Sequence, residues 1–148
     1  MKNFQLLTNQ QKVVMLKELL GDKGIIIFFY PKAKTGLCSL EVQQYQKFLA
    51  VFESMGFNVI GVSQDKADYN NEFCGEFALE YPLISDQNQE LIKAFNLSSE
   101  IIDLGGEQFE KFERSSFVLN NKLEIIKEFR DVEPTKHVRE IIEFLETI

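Results

Sequence analysis

The chain of 148 residues contains no tryptophan, one histidine, two cysteines and three prolines. Each scarcity excludes something. Cys38 and Cys74 are too few for a Cys-only zinc site, and His137 supplies only one further ligand. Two cysteines in a domain of this size do not suggest a structural disulfide framework. They are not spaced Cys-x-x-Cys, so dithiol exchange of the thioredoxin kind is not indicated. Long apolar runs are also missing. The longest, Ile25 to Tyr30, is far too short to span a bilayer. Met1 to Thr8 has no apolar signal core and no small-residue cleavage site, so the expectation is a cytoplasmic protein. Basic residues are in the minority: 16 Lys and Arg against 23 Asp and Glu give a net charge of −7. That balance argues against nonspecific binding to nucleic acid or anionic lipid, but it does not exclude a small neutral substrate.

What is present is a core. Hydrophobic residues make up 45% of the chain, and 14 are phenylalanine. The length suits one domain over residues 1–148. Phe4–Leu7 and Val13–Leu16 read as a short hairpin around Thr8 to Gln11. Ile25–Tyr30 is continuous and apolar, as in a strand covered on both faces, and Pro31 ends it. Leu37, Leu40, Tyr45, Phe48, Leu49 and Phe52 form one stripe on a helix from Leu37 to Met55, with Gly56 placed to stop it. Phe57–Val62 is a second buried strand. A helix from about Lys66 to Glu80 aligns Tyr69, Phe73 and Phe77. Pro82–Ser85 is a short strand, and Asp86 can cap a helix running to Phe95. Ser116–Leu119 and Leu123–Phe129 suggest a hairpin around Asn120-Asn121. A last helix begins near Pro134 and buries Val138, Ile141, Ile142 and Leu145. Strand–helix repeats closed by a hairpin and a helix give an α/β, thioredoxin-like fold: a mixed, mostly parallel central sheet flanked by helices.

Chemistry concentrates where the first buried strand runs through a short loop into a helix. Cys38 falls in the first turn of that helix, where free N–H groups and the dipole favour a thiolate. A thiolate attacks a peroxide O–O bond and becomes a sulfenic acid. The bland alternative is a small buried hydrophobe. The strand–loop–helix setting weighs against it, because ligand sites in open α/β sheets lie at the carboxyl ends of strands.

The string Phe29-Tyr30-Pro31…Thr35…Cys38…Glu41 resembles the peroxiredoxin motif: Pro, then Thr or Ser four residues on, then Cys three further. The flanking Phe-Tyr-Pro-Lys and the downstream Arg114-Ser115-Ser116-Phe117 resemble the Q-type branch, also called bacterioferritin comigratory protein. The resemblance runs from about Phe4 to the C-terminus. It implies a thiol peroxidase for hydrogen peroxide and small organic hydroperoxides, without metal or organic cofactor. Cys38 is then the peroxidatic cysteine. Thr35 hydrogen-bonds peroxide and thiolate, Pro31 shields the sulfur, Arg114 places a fixed cation beside it, and Glu41 orients Arg114 or nearby loop groups. Taken singly, each has a plainer reading. Thr35 could cap the helix, Pro31 could end a strand, Arg114 could be a solvated surface residue, and Glu41 could be exposed near the helix N-terminus.

Departures from the family pattern matter too. Gly36-Leu37 stands where Pro-Gly is common, the Gly-x-x-Ala-Pro opening is absent, and Gln43 occupies a frequent position of the resolving cysteine. Cys74 lies on the Lys66–Glu80 helix and resembles the resolving cysteine that other members carry there; a packed core cysteine is the alternative. Asn70, Asn71 and Gly75 are poor helix formers, and the expectation is that they let this helix open cheaply. Resemblance implies thioredoxin or a similar dithiol as reductant, and a monomer with weak homodimerisation as the alternative. A reading from another class is a noncatalytic redox-sensing or protein-binding module of the same fold. His137 lies beside the apolar stripe of the last helix and reads as structural or solvated. Gly105-Gly106 reads as a loop, and Glu110 to Glu113 as a solvated edge.

Overall fold

The computed structural model describes residues 1–148. It opens with the hairpin β1 (Gln5–Thr8) and β2 (Val13–Met15). One 3-10 turn, Leu16–Leu19, leads to β3 (Gly24–Phe29), buried along its whole length. Its alternate residues feed two separate apolar clusters. Ile26 and Phe28 pack with Cys38, Tyr45, Phe73 and Val138, while Ile25, Ile27 and Phe29 pack with Leu91, Phe95 and Phe117. A strand covered on both faces needs no polar alternation, which is why it reads as one apolar run.

Next come α1 (Gly36–Lys47), α2 (Leu49–Ser54), β4 (Phe57–Ser63), α3 (Ala67–Glu76), β5 (Leu83–Ser85) and α4 (Glu90–Ala94). The chain closes with β6 (Ser99–Leu104), β7 (Glu107–Phe112), β8 (Ser115–Asn120), β9 (Ile125–Phe129) and α5 (His137–Leu145). Seven strands form one sheet in the order β2-β1-β5-β4-β3-β8-β9. The central ladders β3–β4 and β4–β5 are parallel, and antiparallel strands flank them. The mixed α/β architecture inferred from the sequence is therefore present. Gly61 has a specific task in β4: a Cβ there would lie 2.7 Å from the Phe28 ring, which stacks on Tyr45 with ring centroids 4.0 Å apart.

Several local expectations are corrected. The helix over 37–55 is kinked at Phe48 (φ −102°, ψ 7°) into α1 and α2, although Phe48 N–H still reaches Gln44 O at 3.2 Å. Leu37 and Leu40 do not face the core; they are 56% and 48% exposed. The inward positions of α1 are Cys38, Glu41, Val42 and Tyr45, spaced i, i+3, i+4, i+7. Asp86 does cap, but at a distance: its carboxylate accepts from Leu91 N and Ile92 N of the short α4. The left-handed residue of the β8–β9 turn is Leu123 (φ 61°) rather than either asparagine. Gly105-Gly106, read as a loop, and Glu110 to Phe112 of the stretch read as a solvated edge belong to the hairpin β6–β7. Gly105 (φ 63°) and Gly106 (φ 93°) form its two-residue turn, as such a turn requires.

Candidate active site

The loop between β3 and α1 is held from below. Ala33 N–H donates to Asp65 Oδ2 at 2.8 Å, and Ser63 Oγ donates to the same oxygen at 2.8 Å. Lys34 adopts φ 67° and reaches across to Glu72 at 3.2 Å, with its ammonium over the Tyr69 ring. Thr35 is the helix N-cap by its backbone, and Ser39 N–H bonds its carbonyl at 2.9 Å. Its hydroxyl caps nothing. It donates to Lys32 O at 2.8 Å, which closes the loop on itself.

Cys38 follows in the first turn of α1 and is fully buried. Arg114, at the junction of β7 and β8, donates through Nη1 to Cys38 Sγ at 3.5 Å and to Glu41 Oε1 at 2.7 Å. Arg114 is only 9% exposed, and Glu41 is not exposed at all. The plainer readings of both as solvated charges are therefore overturned. An Arg in this position stays charged, and its interactions with Glu41 and Cys38 raise its pKa against the cost of burial. Burial pushes the Glu41 carboxyl up to about 8, although Arg114 pulls the other way.

A second tier was not legible in the sequence. His137 is buried at the start of α5, and burial lowers its imidazole to about 4. Its Nε2 lies 2.9 Å from Tyr45 Oη, 3.2 Å from Ser116 Oγ and 3.4 Å from Glu41 Oε2. A histidine beside the apolar stripe of the last helix was the only signal for it. No group of three or more His, Cys, Asp or Glu side chains is disposed to hold a metal ion.

Outside Arg114 and Pro31 lies an open apolar groove of about 670 Å³. Leu37 and Leu40 of α1 form one wall, Ile102, Leu104 and Phe109 of the β6–β7 hairpin the other, and Lys111 sits at its edge. The two leucines assigned to the core from periodicity thus line a cavity. A second cavity of about 480 Å³ shares Pro31, Leu37 and Arg114 with it.

Cys74 is half-buried on α3, and its thiol donates to Leu79 O at 3.4 Å. Burial pushes that thiol up. Both cysteines are free and border the same apolar cluster. Asn70 does not loosen this helix as expected. It is fully buried, and its Oδ1 accepts from Tyr30 Oη at 2.6 Å and from Ser63 Oγ at 3.3 Å. Asn71 Oδ1 accepts from Asn9 Nδ2 at 2.9 Å. The first turns of α3 are anchored, and only Gly75, with open space around it, keeps the expected character.

The chain that carries this buried thiol, guanidinium and helix N-terminus has known relatives. The AhpC/TSA family profile matches residues 1–128. Peroxiredoxin Bcp of Xanthomonas campestris pv. campestris is 30% identical over 118 residues, 80% of this chain and 73% of that protein. The chain belongs to the AhpC/TSA family as a peroxiredoxin of the Bcp type. Peroxiredoxin Bcp of Bacillus subtilis is 29% identical over 134 residues, 90% of this chain and 84% of the relative. A solved structure of Xanthomonas campestris peroxiredoxin Q superposes with TM-score 0.85 at 26% identity, covering 97% of this chain and 90% of that one. Another, of the Xanthomonas campestris bacterioferritin comigratory protein, superposes with TM-score 0.85 at 25% identity over the same shares. That work concerned its alkyl peroxide reduction activity in trapped intermediate and ligand complexes. Peroxiredoxins are thiol-dependent peroxidases, and the thioredoxin-like fold expected from the sequence is theirs.

Proposed function

We propose that Cys38 is the peroxidatic nucleophile and that the chain reduces hydrogen peroxide and small organic hydroperoxides. The Cys38 thiolate attacks one peroxide oxygen and the O–O bond breaks. The Cys38 sulfur, oxidised, keeps that oxygen as a sulfenic acid, and the other oxygen leaves with a proton as water or alcohol. One observation carries this reading: Arg114 Nη1 contacts both Cys38 Sγ and the buried Glu41, so a permanent cation is held against the sulfur by a partner that cannot swing away. Such a preorganised cation stabilises the thiolate and the developing oxyanion. Pro31 shields the sulfur from the cavities outside. Thr35 supports the loop through Lys32 O, and its hydroxyl turns to the peroxide once one enters. The apolar groove between Leu37, Leu40 and the β6–β7 hairpin is consistent with organic as well as inorganic peroxides, and the solved Xanthomonas relative bears on alkyl peroxides.

We infer further that Cys74 resolves the sulfenic acid. Its thiolate attacks the Cys38 sulfur, a disulfide forms and water leaves. Thioredoxin or a similar dithiol then reduces the disulfide in a reducing compartment such as the cytoplasm. The unit of turnover is a monomer. The test is hydrogen peroxide consumption with a dithiol donor, followed by mass spectrometry of the peroxide-treated chain. Rapid consumption with a Cys38–Cys74 disulfide supports the whole scheme. Consumption with a Cys38 sulfenic acid alone leaves a one-cysteine peroxidase resolved by an outside thiol. No consumption leaves the noncatalytic module.

A further inference from the structure

The loop that carries Pro31 and Thr35 has one directional tie to the rest of the protein. From Lys32 to Cys38, Ala33 N–H is the one backbone donor with a partner, and that partner is Asp65 Oδ2 at 2.8 Å. Within Lys32–Thr35 there is a single bond, from Thr35 Oγ to Lys32 O. Lys34 sits at φ 67°, a conformation that a non-glycine residue keeps where its surroundings impose it. Asp65 reaches the loop because β3 and β4 are parallel and end together, with Phe29 opposite Val62. The turn after β4 therefore emerges beside the loop after β3, although Ala33 and Asp65 are 32 residues apart.

Asp65 is itself fixed from several sides. Its N–H donates to Ser63 Oγ at 3.2 Å, and Ser63 Oγ donates to its Oδ2 at 2.8 Å. Its carbonyl accepts from Ser85 Oγ of β5 at 2.5 Å. The acceptor for Ala33 is thus attached to two strands of the sheet. The other contacts of the loop are weaker anchors. The Lys34–Glu72 ion pair is exposed, and such pairs hold little. The Ala33 methyl packs in the cluster that contains Cys38, but apolar packing has no direction.

We propose that Asp65 is a positioning residue for the peroxidatic centre: through Ala33 N–H its carboxylate fixes the loop that places Pro31 and Thr35 relative to Cys38. This rests on Cys38 being the nucleophile, with Pro31 and Thr35 acting beside it. The cation at the sulfur does not depend on Asp65, since Glu41 holds Arg114. Asp65 therefore acts on the reaction with peroxide, which uses Pro31 and Thr35, and leaves the ionisation of the thiol alone. An amide in its place keeps the role, because one amide oxygen can accept from both Ala33 N–H and Ser63 Oγ. A methyl group cannot.

Asp65→Ala and Asp65→Asn test this against the parent protein. Stopped-flow reaction of the reduced protein with hydrogen peroxide should slow roughly tenfold or more in Asp65→Ala, as a small misplacement of reacting groups does, and stay near the parent rate in Asp65→Asn. Alkylation of Cys38 by iodoacetamide needs neither Pro31 nor Thr35, so its pH profile should be the same in all three. Hydrogen exchange at the Ala33 amide should be slow in the parent and Asp65→Asn and fast in Asp65→Ala. If Asp65→Ala does not fold, Ser63→Ala, which removes the brace from the carboxylate, is read for the same split between peroxide reaction and alkylation. A parental peroxide rate in Asp65→Ala, alkylation that falls in step with the peroxide reaction, or an Asp65→Asn protein as slow as Asp65→Ala would overturn the proposal. A parent protein inert to peroxide sinks the Cys38 reading and this role with it, and exchange at Ala33, which needs no activity, then shows separately whether Asp65 holds the loop.

Discussion

Arg114 lies 76 residues beyond Cys38 and reaches it only through sheet pairing. β8 runs antiparallel to β3 with Ser115 opposite Phe29, so the residue before β8 emerges where β3 ends and α1 begins. No other thiol stands at such a place, and a hydroxyl is not ionised at neutral pH. Cys38→Ser should therefore abolish peroxide turnover while leaving the circular dichroism spectrum unchanged; near-parental consumption would remove Cys38 from the mechanism. Arg114→Ala deletes the bond to Glu41 and the charge-assisted hydrogen bond to the sulfur; loss of the latter, on the order of 1.5–3 kcal/mol, should slow the first peroxide reaction at least tenfold. An unchanged rate of Cys38 alkylation across pH would return Arg114 to a packing role. Pro31, Thr35, Cys38 and Glu41 were legible because they stand at motif spacing, and Arg114 through the downstream Arg-Ser-Ser-Phe string. The burial of Glu41 and Arg114 was not. Glu41 sits on the inward face of α1 although Leu37 and Leu40 are the more apolar neighbours, because Arg114 arrives from a distant strand to pair with it. Periodicity counts apolar side chains and has no means of registering a partner supplied by the other end of the chain.

Helix α3 differs from the expectation drawn from its composition, and the difference moves the hinge. Low propensity at Asn70 and Asn71 is overridden by tertiary bonds to Tyr30, Ser63 and Asn9. Phe73 is fully buried as well. The weak end is the other one. Ala78 takes a left-handed conformation at φ 49°, where a non-glycine residue costs roughly 1–2 kcal/mol, and Gly75 is unpacked. Opening that begins after Phe73 frees Cys74 at the loss of the Leu79 N–H to Cys74 O and Ala78 N–H to Gly75 O bonds and of the half-buried Phe77 and Leu79, while the fully buried Phe73 stays in place. Hydrogen exchange should then show residues 74–80 less protected than 67–73 in the reduced protein, and less still after peroxide. Cys74→Ser should leave the first peroxide reaction fast, block turnover by thioredoxin and increase overoxidation of Cys38. Normal turnover of that variant, or uniform protection along the helix, would make Cys74 a core residue. The β6–β7 hairpin escaped the sequence reading for the opposite reason. Its strands are exposed on most positions, so no alternation marks them, and only the Gly105-Gly106 pair signalled a turn.

At the scale of the molecule, the order of strands and helices apart from β6 and β7 was legible because β3 and β4 are buried almost throughout and read as apolar runs, β4 broken only by Asn58 and Gly61. The polar network behind Cys38 was not, since it assembles from α1, β8 and α5, three segments far apart in sequence. That network makes stability depend on pH, and the sign follows from its two titrating members. Glu41 binds its proton more tightly folded, up to about 8, than its ordinary 4.5, so its contribution is complete at low pH and is lost as pH rises toward 8. His137 is lowered from 6.5 to about 4, so its contribution is complete above 6.5 and is lost as pH falls toward 4. Between 4.5 and 6.5 the two slopes oppose each other and stability is nearly flat. From 6.5 to 8 the Glu41 slope acts alone. One proton released per unfolding event corresponds to about 1.4 kcal/mol per pH unit, so roughly 1–2 kcal/mol should be lost across that interval. Urea unfolding of Cys38→Ser, in which the thiol cannot contribute, should show the loss. Adding Glu41→Gln should flatten the curve above pH 6.5, because the amide does not titrate. Stability that holds level or rises from pH 6.5 to 8 in the Cys38→Ser protein, or an identical slope with Gln at 41, would mean that Glu41 is ionised in the folded state.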